Sequence, residues 1–326
     1  MTMAYYDIFN GDADGICALH QLRLAEPREA TLVTGVKRDI RLLEQVAHVR
    51  GAELTVLDIS LDSNRTALLQ LLDSCRVFYV DHHYAGDPPL SPNLIAHLDP
   101  SPEICTSLIV DGLLGGRFRG WAVAAAFGDN LHDSARKAAV ALDVSEAQVG
   151  ELRELGELMN YNGYGHKVAD LHLPPQALYA AVQPYADPLV FCAESRIPAL
   201  LRQGFADDLR LAREVKPLRE KAHGRIFAFP AEKWASRVAG VFSNERAREK
   251  PDMAHALLVD NGDATFMVSV RAPLARRFGA DSLCRAFPPA AAGPLPVGSM
   301  PCRPDRLRIF FRNFSRCFPH EFSRVA

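Results

Sequence analysis

Phe9-Asn10-Gly11-Asp12-Ala13-Asp14-Gly15-Ile16-Cys17-Ala18 is the stretch from which the rest of the chain is read. An apolar, strand-like run from Ala4 to Phe9 enters it, and a helix-like run from Ile16 to Ala25 leaves it. Asp12 and Asp14 therefore stand at the C-terminal end of a predicted strand, the edge of an open α/β sheet where ligands bind. Carboxylates this close repel each other, and a cation or a proton relieves the repulsion. A divalent metal does so at neutral pH. Gly11 and Gly15 flank the pair and allow a tight turn. An Asp/Gly-rich surface turn has the same local composition, so the choice rests on the sequence that follows.

Thr31 to Val36 reads as a second strand, and Glu53 to Ile59 as a third with Asp58 at its C-terminal end. Arg76 to Val80 is a fourth and runs directly into Asp81-His82-His83. Helix-like runs lie between them: Ile16 to Leu24, a run to about His48 capped by Asp39, and one from Asp62 or Ser63 to Leu72. Strands separated by such runs imply right-handed crossovers and a parallel sheet. The fold class is then α/β, a parallel-sheet domain with flanking helices. Such a sheet places Asp12/Asp14, Asp58 and Asp81/His82/His83 on one edge, an arrangement that chance rarely produces.

Composition narrows the classes. The chain has 326 residues, enough for one large or two medium domains, and is 48% apolar. With 37 Lys and Arg against 39 Asp and Glu, its net charge of −2 argues against a general nucleic-acid coat protein. Residues 1–100 carry 8 basic and 14 acidic residues, whereas residues 271–326 carry 10 Arg, no Lys and 3 acids. An acidic metal site beside an Arg-rich segment suits a phosphate ester; a solvated charged face accounts for the arginines as well. The seven cysteines are odd in number and none lies within three residues of another, which speaks against a zinc knuckle or a disulfide framework. No apolar run reaches the roughly 18 residues of a membrane span, and the N-terminus lacks a signal-peptide pattern. A cytoplasmic location with no membrane partner is the expectation. No protein partner is evident, and a homodimer stays open.

With these motifs in place, the chain resembles the DHH-family phosphoesterases. Asp12-Ala13-Asp14-Gly15, Asp58 after its strand, Asp81-His82-His83, and Phe127-Gly128-Asp129-Asn130 match the four family motifs in order. The resemblance implies a bimetal site, usually holding Mn²⁺ with Mg²⁺ as a substitute, ligated by Asp12, Asp14, Asp58, His82 and Asp129, with Asp58 bridging. It implies that His83 positions substrate or stabilises charge, and that Asp81 orients His82 through the free ring nitrogen. Carboxylate-rich sites with imidazoles suit Mn²⁺. Many relatives carry a metal-ligating His four residues before the first Asp; Ile8 stands there, Asn10 is the nearest polar substitute and a substrate-binding candidate, and the first metal is expected to be weakly held. Thr106 and Ser107 fall where the family places small hydroxyl residues. After a helix from Ser145 to about Met159, the Asn160-Tyr161-Asn162-Gly163-Tyr164-Gly165-His166 stretch reads as an aromatic-polar loop able to stack a base or to cover the core. His166 and His172 are further metal-ligand candidates.

The expected layout is a metal-binding catalytic domain over 1–186, a helical connector over 187–222, interrupted at Pro198, and a smaller α/β substrate-binding domain over 223–326. Asn261-Gly262 marks a hairpin turn there. Phe266 to Arg271 resembles the Ser-x-Arg strand of the DHHA-one domain, which implies that Arg271 contacts substrate phosphate. The family's Gly-rich substrate loop is replaced by a Pro/Ala-rich segment at 288–300, read as a compensated frameshift or a natural loss, and proline removes the N–H donors such a loop needs. The implied activity is hydrolysis of phosphodiester bonds in short oligonucleotides or dinucleotides, 3′-phosphoadenosine 5′-phosphate among the candidates, by a hydroxide activated between two ions. The alternatives are a RecJ-like single-strand exonuclease, a manganese pyrophosphatase or exopolyphosphatase, and a degenerate nucleotide-binding module without turnover.

Overall fold

The computed structural model describes residues 3–287 and 297–318. The chain forms two compact units, Met1–Gly204 and Phe205–Ala326. The first is built on a five-stranded sheet, β1 (Ala4–Phe9), β2 (Thr31–Thr34), β3 (Ala52–Leu57), β4 (Arg76–Asp81) and β5 (Leu94–Leu98), in the order β2-β1-β3-β4-β5. Every pairing in it is parallel. Strand order reverses between β1 and β3, the switch point at which a crevice opens beyond the C-terminal strand ends. Helix α1 (Ala13–Ala25) follows β1 and α2 (Leu61–Leu72) follows β3; α3 (Thr106–Leu113), α4 (Arg119–Gly128), α5 (His132–Ala139), α6 (Glu146–Gly163), α7 (Pro175–Val182) and α8 (Pro188–Glu194) complete the unit.

Two apolar clusters hold these layers. Ile8, Leu54, Val56, Leu68, Leu71 and Tyr79 form one between the sheet and α2. Phe9, Ile16, Leu19, Trp121, Leu155 and Met159 form the other, where α1, α4 and α6 stack. That second layer admits little bulk: a Cβ on Gly156 of α6 would lie 1.8 Å from the Ala124 carbonyl oxygen of α4.

The first sheet departs from the sequence reading in places. The sequence reading names no strand where β5 runs; its residues are mostly half-exposed, and an edge strand leaves a weak apolar signature. Asp39 caps no helix. Its carboxylate accepts the Val36 N–H at 3.0 Å, and a short 3-10 turn at Leu42–Val46 stands in place of the helix. Helix α6 runs through Asn160–Gly163, so the aromatic-polar segment begins inside a helix.

Helix α9 (Ile197–Glu214) carries the chain from one unit to the other. The break between α8 and α9 falls at Ser195 and Arg196, and Pro198 sits in the first turn of α9, where a missing N–H costs nothing. The second unit is a smaller α/β unit with a mixed sheet ordered β10-β9-β8-β7-β6. Its strands are β6 (Arg219–Lys221), β7 (Gly224–Phe229), β8 (Ala254–Asp260), β9 (Phe266–Arg271) and β10 (Val297–Cys302), and its helices α10 (Lys233–Glu249), α11 (Ala280–Arg285) and α12 (Leu307–Cys317). Among these strands only β7 and β8 pair in parallel. Gly262 takes φ 77° in the turn between β8 and β9. Arg237 of α10 and Asp208 of α9 make a buried two-bonded ion pair at 2.6 and 2.9 Å. Of the Pro/Ala-rich 288–300 segment, 288–296 lies outside the described residues, and β10 begins directly after it. All seven cysteines are free thiols, and among the described residues no helix is long and apolar enough to cross a membrane.

Candidate metal centre

The backbone between β1 and α1 fixes the first carboxylate pair. Asp12 is the N-cap of α1, its Oδ1 accepting the Asp14 and Gly15 N–H groups at 3.0 and 3.2 Å. Position 15 has to be glycine, because a Cβ there would sit 2.2 Å from the Asn10 carbonyl oxygen. Asp14 lies in the first turn, and its two oxygens accept the Thr106 and Ser107 N–H groups at the start of α3, each at 2.7 Å. The Thr106 hydroxyl donates to Asp58 Oδ1 at 3.3 Å. Asp58 follows β3 with φ 58°, a left-handed conformation uncommon outside glycine. His82 and His83 follow β4, and Asp129 follows the last turn of α4.

The side chains converge. His82 Nε2 lies 3.4 Å from Asp58 Oδ1, 3.6 Å from Asp129 Oδ2 and 4.0 Å from Asp14 Oδ2. Donors that share one ion with bonds of about 2.1 Å lie from about 3.0 Å (at right angles) to about 4.2 Å (on opposite sides) apart, so this set is compatible with a divalent cation. Among the described residues, two Asp/His clusters have the geometry to coordinate one: Asp14, His82 and Asp129, and Asp58, His82 and His83. Oxygen and imidazole donors without thiolate suit Mn²⁺ or Mg²⁺. Burial, with the charges of Asp14, Asp12 and Asp129, raises the Asp58 pKa well above its ordinary value. Burial raises Asp14 too, with Asp129 and Asp12 adding to it and His82 opposing. These are carboxylates in want of positive charge.

Asp81 engages His83 and not His82. Its Oδ1 accepts from His83 Nδ1 at 2.7 Å, which directs the other ring nitrogen of His83 away from Asp81. Burial works to lower the His83 pKa, but the bond to Asp81 and its charge outweigh it and leave the imidazole above its ordinary value.

Asp12 has a partner that sequence reasoning missed. Lys37, in the loop after β2, puts its Nζ 2.6 Å from Asp12 Oδ2, 3.2 Å from Asp129 Oδ1 and 2.9 Å from Asn160 Oδ1. The Tyr164 ring covers it at 5.7 Å. Burial would raise Asp12, yet the ammonium wins and leaves that carboxyl below its ordinary value. A signal for Lys37 was present: it follows a parallel strand, as Asp12, Asp58 and Asp81 do. Asn10 is buried, donating to the Lys37 carbonyl at 3.2 Å. His172 meets the Tyr161 hydroxyl at 2.6 Å and His166 meets Arg38 at 3.0 Å; neither joins the two clusters. Arg271 ends β9 in the second unit, its Nε donating to Asn244 Oδ1 at 2.9 Å.

No family profile matches the chain, and no curated protein matches it. Solved structures do. The chain superposes on the DHH domain of a protein described as a member of a ribosomal protein family, at TM-score 0.64 and 12% identity, covering 96% of this chain and 86% of that one. An exonuclease RecJ bound to manganese gives TM-score 0.61 and 14% identity, covering 99% and 92%. A pGpG-specific phosphodiesterase from Vibrio cholerae gives 0.51 and 11%, covering 96% and 98%. At these identities the likeness establishes the fold, that of DHH and RecJ proteins, and the Asp/His clusters on it are consistent with a metal-dependent hydrolase.

Proposed function

We propose that the chain is a divalent-metal-dependent phosphoesterase acting on phosphodiester bonds of nucleic acid, in the manner of a RecJ-like nuclease. The observation that carries this reading is the convergence of Asp14, Asp58, His82 and Asp129 at the switch point of the parallel sheet. The RecJ likeness over nearly both whole chains supports the nuclease direction. A divalent cation bound there would supply charge for a phosphoryl group and acidify water.

The chain's own residues account for the rest. Asp14 is held by two backbone N–H groups, Asp58 by the Thr106 hydroxyl and Asp129 by the Lys37 ammonium, so these carboxylates are positioned before a ligand arrives. His83, fixed by Asp81, presents an N–H to a non-bridging phosphoryl oxygen; Arg271, for which the resemblance implies a phosphate contact, belongs to the second unit. Hydrolysis forms one bond from water oxygen to phosphorus and breaks the bond to the departing nucleoside oxygen, which takes up a proton.

A second reading, a phosphodiesterase for dinucleotides and very short oligonucleotides, is supported by the superposition on the pGpG-specific enzyme. One experiment separates the two. Single-stranded DNA and RNA ladders of two to twenty-four residues are incubated with Mn²⁺ beside an Asp58→Asn variant. The nuclease reading expects long strands to be shortened, the second reading expects turnover of the shortest species alone, and either expects a loss on the order of 10³-fold in the variant. Cleavage that is indifferent to Mn²⁺ or to Asp58→Asn overturns both.

A further inference from the structure

Beside the cluster that fits a divalent ion lies a second positive position, and it is already filled by the protein. The Lys37 ammonium has three oxygen partners, on Asp12, Asp129 and Asn160, and an aromatic ring over it. Its backbone is tied as well, the Lys37 N–H donating to the Gly163 carbonyl at 2.9 Å. A surface lysine that strays onto an acid does not acquire all of these constraints. Asp12 already has a partner on each oxygen: Oδ1 caps α1 and Oδ2 takes the ammonium. Asp12 belongs to neither metal-compatible cluster.

Two further positions that could serve a second ion are also compromised. Ile8, fully buried in the core, stands where the family resemblance led one to expect an imidazole. His83 commits Nδ1, the atom facing Asp58 at 3.9 Å, to Asp81. A dication held by Asp12 would lie against the Lys37 ammonium, and like charges at that range repel even in this half-buried setting.

We propose that the Lys37 ammonium takes the place of one of the two divalent cations, so that the site holds a single ion among Asp14, Asp58, His82 and Asp129 with Lys37 as its fixed positive neighbour. This rests on the metal-dependent phosphoesterase reading and makes it more specific: a phosphoryl oxygen is met by one metal and one ammonium. A lysine offers N–H donors and a single charge, so it binds a phosphoryl oxygen without acidifying water. The residue is thus a binding and positioning group, and water activation falls to the single ion.

Metal stoichiometry tests this without reference to turnover. Chelator-treated protein is titrated with Mn²⁺ by calorimetry, and electron paramagnetic resonance is recorded on the loaded chain. The expected result is one Mn²⁺ per chain with the spectrum of an isolated ion. In Lys37→Met, a near-isostere checked for folding by circular dichroism, a second and weaker Mn²⁺ is expected with an exchange-coupled spectrum, whereas Lys37→Arg keeps a stoichiometry of one. Two coupled ions in the unmodified chain would overturn the inference and leave the phosphoesterase reading standing. Lys37→Met that still binds one ion would also overturn it, by showing that Lys37 is not what excludes the second. An unmodified chain that binds no Mn²⁺ would remove the phosphoesterase reading itself, and this inference with it.

Discussion

Asp58 illustrates what the site costs. Its φ of 58° places a side chain where L-residues are rarely found, and its carboxyl is 2% exposed among other carboxylates. Holding the crowded carboxylates so stores unfavourable energy that a cation bound there would offset. Asp58→Asn removes one of the crowded charges, keeps an oxygen for the Thr106 hydroxyl, and installs a residue that tolerates the left-handed region. The metal-free variant is therefore expected to be more stable than the unmodified chain by about 1–2 kcal/mol, a trade of stability against function. Thermal melts in chelator check the sign. Adding Mn²⁺ should then raise the melting temperature of the unmodified chain, through ligand linkage, far more than that of the variant. A variant that melts lower in chelator would show that the charge crowding is not a net cost.

At the level of elements, the position of Asp129 depends on how closely α4 and α6 approach. A Cβ on Gly156 would meet the Ala124 carbonyl oxygen at 1.8 Å and the Gly128 nitrogen at 2.9 Å, both of them backbone atoms that cannot swing away. Gly156→Ala should thus push α6 off α4, cost about 2–3 kcal/mol as overpacking does, and weaken Mn²⁺ binding by roughly 10–100-fold through the displaced Asp129. Gly150→Ala is the control. It lies on the same helix with nothing within 4 Å of its Cβ, and should stabilise by about 0.5–1 kcal/mol. Urea titrations and Mn²⁺ calorimetry on both variants decide this, and equal effects would remove the packing argument. The elements differ in how readily the sequence discloses them. Strands β1, β3 and β4 were legible because both their faces are covered and they read as continuous apolar runs. β5 was not, since an edge strand with half-exposed residues looks like a loop. The last turn of α6 was hidden by Asn160, Asn162 and Gly163, residues that favour turns locally; here Asn162 is held by exchanging two hydrogen bonds with the Leu173 backbone.

Across the whole molecule, the strand-end rule brought distant residues to one edge from sequence alone, because a parallel sheet converts order in the chain into position in space. Contacts across the fold carry no such signature. Neither the Lys37 pairing with Asp12 nor the preference of Asp81 for His83 could be read before the backbone was placed. The two units also differ in their response to acid. His255 in the second unit is 2% exposed, and its Nε2 donates to the Lys250 carbonyl at 3.1 Å. Burial lowers its pKa to about 4, the Lys250 bond opposing and Arg225 adding to the fall. The unfolded chain takes up that proton near 6.5. Between these values the unfolded state holds more protons, so the stabilisation is complete above 6.5 and is lost as pH falls toward 4. From pH 7 to 5 the loss is about 2 kcal/mol. His20 in the first unit, donating to the Tyr185 carbonyl at 2.8 Å with its pKa likewise lowered by burial to about 4, pulls the same way. There, however, Asp14 and Asp58 have raised pKa values, so without metal they take up protons in the folded state first and gain stability as pH falls. The second unit should therefore weaken on acidification more than the first. Each unit carries one tryptophan, Trp121 and Trp234, so Trp121→Phe and Trp234→Phe report on the units separately. Urea midpoints in chelator at pH 7 and pH 5 should fall further when followed through Trp234 than through Trp121. His255→Gln, which keeps a donor for the Lys250 carbonyl, should remove most of that fall. If the drop persists in His255→Gln, the acid sensitivity of the second unit originates elsewhere than in this histidine.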